Sequence, residues 1–218
     1  MKINRWCMLF ALTIIVLSVT HLRADTNVSN TNSGWITSAG SGAQTTTTYS
    51  SGWMYNEQFD NYFTFNLSGV TGRITGATFD LESYNIAGPS GTYSVYSTGL
   101  TPTGAAAGGL SAYNALTSGT LIGSIALNSS DANQLLTITL NSAGQAWLQA
   151  NEGNQIVLGG AYIVPGSGIS YAFGQSLLNS SNALDIQTSG SVVPEPSSPI
   201  LLGTGLVGIA GAFRRRFL

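Results

Sequence analysis

An all-β fold is predicted for this chain: a jelly-roll-like antiparallel β-sandwich carrying one short helix. Three observations predict it. Between Asp25 and Val192 the sequence falls into about eight to ten short apolar runs separated by Gly-rich turns. Only one stretch, after Leu140, changes to helical spacing. No segment repeats at a fixed period.

The elements follow in order. Asp25 to Ser33 is rich in Asn, Thr and Ser and predicts a loose N-terminal segment. Gly34-Trp35-Ile36-Thr37 predicts a first strand. Ser38 to Ser51 holds four consecutive threonines, Thr45 to Thr48, and is compatible with an exposed strand or a long loop. Phe59 to Leu67 is the clearest strand. Phe63, Phe65 and Leu67 fall on one side, with Tyr62, Thr64 and Asn66 on the other, the pattern of a half-buried strand. Ser68 to Gly72 is a turn, and Arg73 to Ile86 alternates again, interrupted at Gly76 as at a β-bulge. Gly88 to Gly91 turns the chain into a strand at Thr92 to Ser97.

Thr98 to Gly109 reads as a Gly/Ala/Pro loop, and Ser111 to Thr117 as a short helix or an irregular crossing. Leu121 to Leu127 and Leu135 to Leu140 are two further strands. Ser142 with Gln145 forms a capping-box pattern. Ala143, Ala146, Trp147 and Ala150 follow at helical spacing, with Trp147 as the anchor and Gly153 as the stop. Gln155 to Val164 predicts a buried strand; Ile169 to Phe173 and Ala183 to Thr188 close the domain.

Both termini carry targeting patterns. Lys2 and Arg5 precede an apolar run, Met8 to Thr20, and Leu22-Arg23-Ala24 resembles a cleavage site, so residues 1–24 are expected to be a secretory signal peptide. The single cysteine, Cys7, precedes the apolar run, where a lipoprotein cysteine would follow it. Cleavage after Ala24 leaves a mature chain with no disulfide. Residues 25–192 then form the β-sandwich domain, large enough to bury a core without covalent staples.

The tail, residues 193–218, has three parts. Pro194-Glu195-Pro196 is stiff and extended, because proline fixes φ and lacks an N–H. Pro199 to Phe213 is uncharged and apolar and predicts a single transmembrane helix. Arg214, Arg215 and Arg216 form a basic membrane stop on the cytoplasmic side. At ~1.5 Å per residue those fifteen residues reach about 22 Å, short of a ~30 Å hydrocarbon core. Such a span suits a transient anchor better than a permanent one.

This arrangement resembles the PEP-CTERM sorting signal of Gram-negative exported proteins. The resemblance implies recognition by an exosortase-like processing enzyme at the inner membrane, and an association with exopolysaccharide and biofilm. Phe63-Thr-Phe65-Asn-Leu67, Ile74 to Leu81, and Leu140 to Glu152 followed by Ile156-Val-Leu-Gly-Gly160 are also similar to β-sandwich domains attached to such tails.

The chemistry open to residues 25–192 is narrow. They contain no His, Cys or Lys, so Ser-His-Asp and Cys-His catalysis and His/Cys zinc sites have no residues to draw on. Eight carboxylates face one cation, Arg73. A surface so poor in Lys and Arg cannot neutralise phosphates, so no nucleic-acid partner is expected. Asp80 with Glu82, and Glu57 with Asp60, are the carboxylate pairs a glycosidase would need, but as sequence they read as solvated charges. No catalytic residue, metal or cofactor is expected.

The expected role is therefore a non-enzymatic exported protein of the cell surface or extracellular matrix. The alternative is a carbohydrate-binding module. Its glycan contacts would be Tyr49, Trp53 and Tyr55 with Glu57 beside them, and Trp35 is a further candidate. Aromatic rings stack on the C–H faces of pyranoses while neighbouring polar groups hold the hydroxyls.

Overall fold

The computed structural model describes residues 23–44, 48–166, 168–173 and 182–189. Residues 1–22, Thr45–Thr47 and the sorting tail fall outside them, whereas Arg23 and Ala24, the last two residues of the expected signal peptide, are described as the start of the first strand. Residues Arg23–Ser189 make one compact unit. Its described residues form twelve strands: β1 Arg23–Thr37, β2 Gly42–Gln44, β3 Ser51–Met54, β4 Glu57–Asn66, β5 Arg73–Ser83, β6 Ile86–Ala87, β7 Gly91–Ser97, β8 Leu121–Leu127, β9 Gln134–Thr139, β10 Gln155–Ile163, β11 Ser170–Ala172 and β12 Ala183–Ser189. Three α-helices join them: α1 Pro102–Ala107, α2 Leu110–Thr117 and α3 Ser142–Ala150.

Every pairing is antiparallel. One sheet runs β1-β12-β5-β9. The other runs β2-β1-β4-β10-β7-β8. A small ribbon, β3-β11-β6, continues from the start of β4. The two sheets pack face to face. Phe63 and Phe65 of the second sheet meet Phe79 of the first, with ring centroids 5.0 and 5.9 Å apart, and both sheets contribute to one continuous buried cluster.

Strand β1 belongs to both sheets. Arg23–Ser29 pair with β12, and Asn30–Thr37 pair with β4. The ladder shifts register between Asn30 and Asn32, skipping Thr31. Side chains repair the gap. Asn30 Oδ1 accepts from Thr64 N at 3.3 Å, and the Thr31 and Thr64 hydroxyls lie 2.8 Å apart. The expected loose segment at Asp25–Ser33 is thus the first half of a long strand. Its polar composition hides it, because the pairing comes from β12 and β4 rather than from its own apolar pattern.

Strand β5 behaves as its alternation predicts, with Ile74, Ala77, Phe79 and Leu81 buried. The ladder to β12 skips Thr75, immediately before Gly76. Strand β4 does not. Phe59 to Phe65 are buried without a break, so Tyr62 and Thr64 are not on a wet face. Helices α1 and α2 cover that face, forming a second small core of Ile36, Tyr62, Ala105, Ala112, Leu116 and Val157. Its close approach depends on β10. A Cβ on Gly159 would collide with the Leu116 carbonyl oxygen, and one on Gly160 with the Tyr93 hydroxyl on the opposite face.

The one short helix of the expected fold is three among the described residues: Thr98–Gly109, expected as a loop, holds α1, and Ser111–Thr117, expected as a short helix or an irregular crossing, is helical. Thr101 caps α1, its side chain accepting from Gly104 N at 3.1 Å, with Pro102 following as the first helical residue. Ser111–Thr117 resolves as helix α2. In α3 the cap is Asn141, one residue before the expected Ser142; its Oδ1 accepts from Gly144 N at 3.0 Å. Leu148, more than the half-buried Trp147, is the buried anchor of α3. Gln149 of that helix ties down the start of β5, accepting from Ile74 N at 2.7 Å and donating to the Gly72 carbonyl at 3.2 Å.

Candidate functional site

One end of the sandwich, around the β3–β11–β6 ribbon, holds the exposed aromatic residues Trp53, Tyr55 and Tyr84. The ribbon separates two depressions. The larger, about 600 Å³, is lined by Trp35, Met54, Tyr55, Phe59, Tyr84 and Tyr171, with Thr48, Ser50, Asn85 and Ile169 completing it. The smaller, about 330 Å³, lies against Trp53, Gln58 and Tyr162.

The larger cleft is assembled from four places in the chain. Trp35 comes from β1 and packs on Phe59 of β4, centroids 5.0 Å apart and tilted by 47°. Tyr84 and Asn85 come from the turn between β5 and β6. Tyr171 comes from β11, and Asn85 Nδ2 donates to its hydroxyl at 3.1 Å. Tyr55 comes from the two-residue turn between β3 and β4, where Met54 pairs with Glu57.

That turn is unusual. Tyr55 and Asn56 both have positive φ, 52° and 63°, as the tight turns that match strand twist require. Asparagine tolerates this region; a bulky aromatic adopts it at a cost. The Tyr55 ring is nonetheless 87 % exposed, with Phe59 6.4 Å away.

The residues expected at a glycan site separate. Tyr49 is fully buried. Its ring packs on Phe63 and Phe173, and its hydroxyl donates to the Glu82 carbonyl at 2.8 Å. It is a core residue and offers no surface. Trp53, 41 % exposed, lies in the smaller depression. Tyr55 stands at the larger cleft, and Glu57 is half-buried and lines neither. Tyr84, Asn85 and Tyr171 escape a sequence reading, because they occur in ordinary turn and strand contexts far apart along the chain.

In the interior beside the cleft, Asn61 and Tyr93 satisfy one another. Asn61 Nδ2 donates to the Tyr49 carbonyl at 2.8 Å, and the Tyr93 hydroxyl donates to Asn61 Oδ1 at 2.8 Å. Burial pushes the Tyr93 hydroxyl well above the usual tyrosine range, so it stays protonated as a donor. On the helix-covered face of β4, burial raises Asp60 to about 6, offset in part by a hydrogen bond from Gln58 Nε2 at 3.2 Å. Burial, and then the Asp60 charge, push Tyr113 of α2 to about 12. Among the described residues, no carboxylate lines either depression. Among the described residues no group of three His, Cys, Asp or Glu side chains could hold a metal ion, and no helix is long and apolar enough to cross a membrane.

Comparison with known families bears on the tail. Residues 192–216 match the PEP-CTERM protein-sorting motif. The PEP-CTERM match spans Pro194-Glu195-Pro196, the apolar run and Arg214–Arg216, all outside the described residues. It supports an exported, sorted protein and stops short of the β-sandwich. No curated protein matches the chain.

Proposed function

We propose that this is an exported surface or matrix protein. Its PEP-CTERM tail lodges briefly in the inner membrane and is then processed by an exosortase-like enzyme. One observation carries this reading: the match at residues 192–216 coincides with the stiff tripeptide, the apolar run and the three arginines in their order. A signal peptide over residues 1–24 would deliver the chain to that membrane. The β-sandwich is a jelly roll in this reading. The order β1-β12-β5-β9 opposite β4-β10-β7-β8 supports it, with the first and last strands paired inside one sheet. The folded unit acts without catalysis, in or on exopolysaccharide. Among the described residues its clefts have no carboxylate pair for glycoside hydrolysis.

The test is replacement of Pro194, Glu195 and Pro196 by alanine in the native host. The variant is expected to accumulate in the inner-membrane fraction, while mass spectrometry of released wild type finds Asp25 at one end and no Arg214–Arg216 at the other. Release of the variant at the wild-type rate would sink the sorting reading.

A second reading is favoured by the exposure of Tyr55 on a strained turn. In it the folded unit contacts glycan through aromatic side chains.

A further inference from the structure

We propose that the cleft between Trp35, Tyr55, Tyr84 and Tyr171 binds a neutral, pyranose-based polysaccharide. The inference deepens the glycan reading and rests on it for where the ligand is met. It moves the site off Tyr49, Trp53 and Glu57 and assigns the ligand's charge.

Three observations carry it. The first is the lining. Among the described residues that line it, five aromatic side chains and two aliphatic ones are interrupted by Thr48, Ser50 and Asn85, with no Asp, Glu, Lys, Arg or His. A charged ligand would lose hydration there and meet no counter-charge. A lipid chain would strip water from the hydroxyls and the amide without replacing their hydrogen bonds. A neutral sugar presents apolar C–H faces to the rings and hydroxyls to the polar groups. The second is the size. About 600 Å³ falls within the roughly 300–1,000 Å³ of small-ligand sites.

The third is Tyr55. A two-residue turn with positive φ at both positions is served best by Asn-Gly. Here the first position is a tyrosine at φ 52° with its ring 87 % exposed. The backbone strain gains little packing in return, and strain kept without packing benefit points to use. Asn85, by donating to the Tyr171 hydroxyl, fixes that hydroxyl in the lining.

The experiment uses the full-length chain in a zwitterionic detergent without a sugar headgroup. It is run by affinity electrophoresis through gels containing galactomannan, soluble β-glucan or, as the acidic control, polygalacturonate. At least one neutral polymer is expected to retard the protein, unchanged by salt. Tyr55→Ala and Tyr84→Ala are each expected to weaken retardation about five- to tenfold, about 1–1.4 kcal/mol. Trp53→Ala, on the other depression, is expected to leave it unchanged. Tyr55 is exposed enough that its truncation leaves the fold intact, which circular dichroism checks. The proposal is overturned if neither neutral polymer retards the chain, or if Tyr55→Ala and Tyr84→Ala run as wild type. Retention by polygalacturonate alone, lost in salt, also overturns it. So does a concentration-dependent dimer dispersed by Tyr55→Ala without polymer binding, which would assign the cleft to a second copy. This failure is distinct from that of the sorting reading: the alanine tripeptide variant changes release, and Tyr55→Ala changes only retardation.

Discussion

The two sheets use the same kind of strand in different surroundings. In the β1-β12-β5-β9 sheet, β5 buries alternate residues and leaves Thr78, Asp80 and Glu82 on its partly open face. In the other sheet, β4 and β10 are buried on both faces, because α1 and α2 lie across the outer one. The lesson concerns where polarity can be placed. On the open sheet Asp80 accepts from the Thr137 hydroxyl at 2.7 Å at the surface. Under the helices Asp60 is 3 % exposed, and its carboxyl is harder to ionise.

Truncating the shared core should do the most damage. Phe79 is fully buried between Phe63 and Phe65, so Phe79→Ala is expected to cost about 3–5 kcal/mol in urea unfolding. A loss below about 1 kcal/mol would mean that the sheets are not held by this contact. Next comes the buried acid. Its raised value means the native state binds a proton that the unfolded chain, with the ordinary value of 3.8, has released. Asp60 therefore destabilises progressively as pH rises from about 4 through about 6, by roughly 3 kcal/mol once both states are ionised. Asp60→Asn should leave stability near pH 3.5 almost unchanged and raise it by up to that amount at pH 7.5. Parallel stability curves for the two proteins would break the contrast between the faces.

The helix layer itself should contribute less. Leu116→Ala, in the small outer core, is expected to cost about 2 kcal/mol. Hydrogen exchange would show the loss first in α1 and α2, with β5 amides protected as before. Smallest is the cap. Thr101→Ala removes the side-chain acceptor for Gly104 N and should cost about 1 kcal/mol, read as a slight drop in melting temperature.

These differences also explain what could be read from the residues alone. Phe63, Phe65 and Leu67 announce a strand, because three large apolar side chains at period two have little other use. Nothing local tells that Tyr62 and Thr64 are covered too; that cover comes from residues 102–117, some forty positions later. Helix α1 did carry its own mark, Thr101 before Pro102, but Gly104 and the alanines behind it resemble a loop. At the candidate site, Tyr55 stands out in the sequence as an aromatic outside the clear strands. Tyr49, six residues earlier, is locally equivalent yet lies in the core. Trp35, Tyr84 and Tyr171 are gathered by the pairing of β1 with β4 and of β11 with β3 and β6, long-range registers that no local pattern encodes.

Strand β12 has a mechanical consequence. It is the last described strand, and it runs inside its sheet, laddered to β1 on one side and to β5 on the other. A pull at Ser189 along the strand axis would load both ladders in shear at once, so many backbone bonds must yield together. Had the chain ended on an edge strand such as β9, the same tug could have peeled it away bond by bond. A body held from its trailing end is therefore held by the part of it most resistant to unravelling.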